Sequence, residues 1–97
     1  MNVLFKALGD TRRREILDLV SQRPRTTGDL CAHFGSALDR CTVMQHLGVL
    51  QKARLLVAKR EGRLRWNHFN PGPLKEIQAG WLAARTRAKP KAKAKAP

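Results

Sequence analysis

Two extended runs, Leu55 to Arg60 and Arg63 to Phe69, meet at Glu61-Gly62 in a chain whose other apolar residues recur at helical spacing. Glycine supplies the positive φ that a tight hairpin requires, so the runs read as one antiparallel ribbon. The fold class implied is mainly α with a small β-hairpin (α+β). Trp66 reads as a core-packing residue within that ribbon, with its strand face left open.

Apolar stripes and their caps place the helices. Val3, Leu4, Phe5 and Leu8 form a short stripe that stops at Gly9. Asp10 can cap a second helix carrying Ile16, Leu17 and Val20, which Ser21 to Pro24 end. Thr26-Thr27-Gly28-Asp29 has the form of a capping box before Leu30, Cys31 and Phe34, with Gly35 closing that short third helix. Asp39 caps a fourth helix that buries Val43, Leu47 and Leu50 and leaves Arg40, Thr42, Gln45 and His46 on its other faces. Beyond Asn70-Pro71-Gly72-Pro73, the residues Leu74, Ile77, Trp81 and Leu82 make an i, i+3, i+7, i+8 stripe on a last helix ending near Thr86. Residues 1–86 are thus expected to form one domain. Residues 87–97, all Lys, Ala and Pro with one Arg, are too polar to bury and read as a disordered basic tail.

The charge balance of 20 Lys+Arg against 7 Asp+Glu, a net +13, points to a polyanionic partner and above all to nucleic acid. Cys31 and Cys41 give no disulfide framework, and a reducing cytoplasm suits them. The chain shows no secretion signal or membrane span, so a soluble cytoplasmic, nucleoid-associated protein without a membrane partner is expected. No His stands near a Cys and a carboxylate and no Gly-rich phosphate loop appears, so catalysis and cofactors are not expected. A metal centre is not expected either: Cys31 lacks a neighbouring thiol, His33 points elsewhere, His68 has no evident partner, and residues 74–86 contain no His, Asp or Cys.

Leu4-Phe5-Lys6-Ala7-Leu8-Gly9-Asp10-Thr11-Arg12-Arg13-Arg14, Thr42-Val43-Met44-Gln45-His46-Leu47 and Arg60-Glu61-Gly62-Arg63 together resemble the opening, recognition helix and wing tip of the ArsR-type winged-helix repressors. The resemblance covers residues 3–84, although the family's usual Pro between Asp10 and Thr11 is missing. It is strongest to a branch without metal-ligand clusters, which reads Val-Met-Gln-His-Leu in the recognition segment and Asn-Pro-x-Pro-Leu/Ile near the end. It implies a winged helix-turn-helix that is dimeric through its first and last helices, and a sequence-specific regulator that represses by binding a palindromic operator in double-stranded DNA as a homodimer. No small-molecule or metal effector is evident.

The expected DNA-binding residues are Arg40, Cys41, Thr42, Gln45 and His46 on the recognition helix, with Lys59, Arg60, Arg63 and Arg65 on the wing. Arg matches the paired acceptors of guanine, Gln can bond adenine bidentately, and the Thr methyl can meet that of thymine. The wing arginines suit phosphates or a narrow minor groove. The expected dimer residues are Leu4, Phe5, Leu74, Ile77, Trp81 and Leu82. Cys41 reads either as a small residue beside DNA or as a thiolate favoured by the helix dipole and Arg40 and open to oxidation. Gly48 replaces a Lys or Arg common in the family, at about 1 kcal/mol of helix propensity relative to Ala. Arg54 stands where the family usually has a helix-closing Gly, which predicts a left-handed backbone there. The rival function is a sequence-tolerant architectural DNA- or RNA-binding protein using the basic tail.

Overall fold

The structure is a computed structural model and describes residues 2–88. The elements run α1 (Asn2–Leu8), α2 (Thr11–Gln22), β1 (Arg25–Thr26), α3 (Thr27–Phe34), a 3-10 turn (Gly35–Ala37), α4 (Arg40–Lys52), β2 (Leu56–Glu61), β3 (Leu64–Phe69) and α5 (Gly72–Ile77). A π-helical turn (Gln78–Leu82) then leads into α6 (Ala83–Ala88).

Each expected cap is in place. The first amides of a helix have no partner within it, and Asp10 accepts two of them, from Arg12 and Arg13 at 2.8 and 3.2 Å. Thr26 and Asp29 close a reciprocal capping box at 3.0 and 3.1 Å, and the Asp39 carboxylate accepts the Thr42 amide at 2.7 Å. Arg54 takes φ 62, as its position predicts. It closes α4 because the Leu55 amide donates to the Leu50 carbonyl and its own amide to that of Gln51, a Schellman pair that leaves the chain turned toward β2.

Ile16, Leu17 and Val20 of α2, Leu30 and Phe34 of α3, and Val43, Leu47 and Leu50 of α4 meet in one core with Leu4, Ala7, Leu55 and Leu56. Burial of the α4 stripe fixes which side of that helix can face anything else. Leu4, expected at a dimer interface, is only 7% exposed in this core, while its neighbours Val3 and Phe5 are 43% and 45% exposed. Successive residues lie about 100° apart around a helix, so Val3 and Phe5 flank the side that Leu4 buries and are left exposed here.

The sheet is antiparallel in the order β1-β3-β2. Glu61 pairs with Leu64, so the two-residue loop is Gly62-Arg63, one position later than expected, with positive φ at Gly62 only, the sign pattern of a II′ turn. β1 was not legible in the sequence, being two polar residues paired with Asn67 and Trp66. It is held by fully buried Asn67, whose Nδ2 donates to the Arg25 carbonyl and to Thr27 Oγ1, both at 3.2 Å.

The last helix departs most from expectation. The π-helical turn inserts an extra residue, rotating the remainder of the helix by about 100° relative to the Leu74 and Ile77 face. Leu74 and Ile77 pack partly buried against the core, whereas Trp81 and Leu82 leave that stripe and are 43% and 42% exposed. The helix continues to Ala88 rather than ending near Thr86. Of the basic tail expected over residues 87–97, residues 87 and 88 continue α6 and residues 89–97 lie outside the described residues.

Candidate nucleic-acid interface

With its buried stripe turned inward, α4 presents Cys41, Gln45, Gly48 and Lys52 outward, an i, i+4, i+7, i+11 row exposed along its whole length. Arg40, Met44 and Gln51 lie on the flank toward the hairpin, and Thr42, His46 and Val49 on the flank toward α2. Of the five side chains expected to meet DNA from this helix, Cys41 and Gln45 therefore lie on the outward row. Gly48 and Lys52 share that row and were missed, although their spacing from Cys41 marks the same face.

His46 is half-buried and turned toward α2, where Arg13 Nη1 lies 3.2 Å from its Nδ1. A guanidinium can only donate, so Nδ1 is the acceptor and the neutral ring carries its proton on Nε2. The same guanidinium donates to the carbonyls of Ala7 and Lys6 at 2.9 and 3.0 Å. Arg13 thus ties the end of α1 to the middle of α4. Partial burial pushes the Asp10 carboxyl up, but the amides of Arg13 and Arg12 and the nearby Arg13 guanidinium outweigh it, leaving the group below its ordinary 3.8. Thr42 is half-buried and its amide is taken by Asp39.

On the hairpin flank, Arg40, Arg60, Arg63 and Arg65 line one groove of about 350 Å³, with Thr26, Thr27 and Gly28 at the start of α3. Arg60 and Arg65 are direct cross-strand partners. Like charges facing each other across a ladder destabilise it, and negative charge placed between them would relieve that repulsion. Arg65 donates to Gln51 Oε1, tying the hairpin to the end of α4. Arg40 Nη1 reaches Cys31 Sγ at 3.9 Å.

Lys59 does not join this cluster. Cross-strand partners share a face, so Lys59 goes with Trp66 while Arg60 goes with Arg65 on the opposite side. Trp66 accordingly sits half-buried on the outer face with Lys59, Pro24 and His68 rather than in the core.

Among the described residues no group of three His, Cys, Asp or Glu side chains is placed to hold a metal ion, and no helix is long and apolar enough to cross a membrane. Cys31 and Cys41 are free, half-buried and exposed respectively. His33 Nε2 meets Glu15 Oε2 at 2.7 Å, joining α3 to α2, and that bond holds the Glu15 carboxyl below its ordinary value. Phe5, Trp81 and Leu82 are exposed apolar groups, with the Arg85 guanidinium 4.3 Å from the Trp81 ring centre.

Residues 10–57 match the profile of the bacterial regulatory proteins of the arsR family. The chain is 38% identical over 86 residues to the uncharacterized HTH-type transcriptional regulator YuzN of Bacillus subtilis, covering 84% of this chain and 94% of that protein. It is 33% identical to the transcriptional repressor SdpR of the same organism, covering 84% and 88%. Among solved structures, an ArsR family transcriptional regulator, RHA00566, superposes with a TM-score of 0.81 at 27% identity, covering 93% of this chain and 90% of that one.

Proposed function

Because this chain belongs to the arsR family of bacterial regulatory proteins, we propose that it is a non-enzymatic repressor that binds a palindromic operator in double-stranded DNA as a homodimer, without a cofactor. The observation that carries this reading is the outward row of α4 beside a groove of four arginines, two of which face each other across the hairpin.

In this reading α4 enters the major groove and Gln45 bonds a base edge, bidentately if that base is adenine. Arg40, Arg60, Arg63 and Arg65 take the backbone phosphates that run between α3 and the hairpin, relieving the repulsion between Arg60 and Arg65. His46, held by Arg13, positions the helix instead of reading a base. A second copy docks through the exposed Phe5, Trp81 and Leu82, which suits a two-fold operator.

Selection of duplexes from a randomised pool, followed by competition with random duplex and with RNA, tests this. A recovered inverted repeat that resists both competitors is the expected result. Equal competition by random duplex or RNA would favour a sequence-tolerant architectural protein.

A further inference from the structure

Gly48 sits in the middle of the outward row of α4, one turn from both Gln45 and Lys52, and nothing among the described residues requires a glycine there. Beyond its chain neighbours and the adjacent backbone of its own helix, a Cβ built at Gly48 meets no atom of the described residues within 4 Å, and its φ is not positive, unlike those of Gly35 and Gly62. A glycine in mid-helix destabilises it through backbone entropy. The space that the missing side chain leaves therefore opens outside the fold. Beside Gly48 runs an open groove of about 460 Å³ with Arg13, His46 and Lys52 along it, on the opposite side of α4 from the four-arginine groove.

We propose that Gly48 is a specificity-determining close-approach point, at which one sugar-phosphate strand bordering the major groove passes against the bare backbone of α4 while Lys52 neutralises its phosphate. This rests on the DNA-binding reading above and adds what sets the depth of the helix. A methyl at this position projects about 1.5 Å farther from the axis. Hydrogen bonds from Gln45 to a base edge are lost over a displacement of that size. A small side chain would therefore weaken base reading more than phosphate contact.

The test uses the full chain, its Gly48→Ala and Gly48→Lys variants, a duplex that the wild type recovers from a randomised pool, and a random duplex. Gly48→Ala is expected to raise Tm by about 4–8 °C, because the helix gains propensity. It is also expected to weaken the recovered duplex about tenfold or more, with a smaller loss on random duplex. Gly48→Lys is expected to weaken the recovered duplex despite its added charge. Unchanged or tighter binding by Gly48→Ala overturns the proposal, as does tighter binding by Gly48→Lys with a steeper salt dependence, which would make the position a missing phosphate contact. A fall in Tm for Gly48→Ala overturns it too, by placing the need for glycine inside the fold. If the wild type recovers no preferred duplex, the DNA-binding reading falls and this inference with it, whereas a wild type that selects a site beside an indifferent Gly48→Ala removes the inference alone.

Discussion

Arg54 holds φ 62 with a full side chain because the Schellman turn at the end of α4 must redirect the chain into β2. An L-residue in this region costs roughly 1 kcal/mol, and the exposed pair it forms with Glu76 at 3.9 Å offsets little of that. Arg54→Gly is therefore expected to raise Tm by a few degrees, less the entropy glycine adds to the unfolded chain, and a clear fall in a melting experiment would refute the strain. Gln45 and Arg40 should separate in DNA titrations. Gln45→Ala should cost about 1–3 kcal/mol on the recovered duplex and little on random duplex. Arg40→Ala should weaken both alike and lower the slope of log affinity against log salt by about 0.9, as expected of a side chain in the phosphate groove rather than on the outward row. Equal losses on both duplexes for Gln45→Ala would remove it from base reading.

At the scale of elements, α4 begins where the Asp39 carboxylate accepts the Thr42 amide, a bond that holds the Asp39 pKa below 3.8. A carboxyl with a lowered folded pKa stabilises the fold fully above its unfolded pKa, and that contribution disappears as pH falls through the lower folded value. Asn caps a helix without titrating. Below about pH 4 the wild type should therefore lose Tm more steeply than Asp39→Asn, a comparison made by melting both proteins from about pH 6 down to about pH 2.5. Parallel curves would show that the cap carries no pH-dependent stability. β1 illustrates an element with no propensity of its own. It exists because buried Asn67 satisfies the Arg25 carbonyl across the sheet.

At the scale of the whole molecule, Phe5 and Trp81 expose large apolar surface that a second copy would cover. Phe5→Glu and Trp81→Glu are expected to shift the protein from dimer to monomer in sedimentation and to weaken the recovered duplex, since each half-site would then bind alone. A wild type that remains monomeric while bound to its selected site would refute the dimer. Residues 85–97 hold Arg85, Arg87, Lys89, Lys91, Lys93 and Lys95 with no acid, nearly half of the net +13. If they track phosphates beyond the helices, deleting residues 88–97 should flatten the salt slope by up to about 3–4 per protomer and leave site preference intact. An unchanged slope removes the tail from DNA binding. The sequence by itself determined the helices of the core, their three caps, the hairpin and the family resemblance, because periodicity and capping act within a few residues of one another. Only the tertiary structure decided that His46 belongs to Arg13, that Arg60 and not Lys59 faces the arginine groove, that Leu4 is core, and that a π turn swings Trp81 off the Leu74 stripe. A periodic pattern specifies which side of an element faces the core, but the neighbour met by each flank comes from chain far away in sequence and is set when the elements pack.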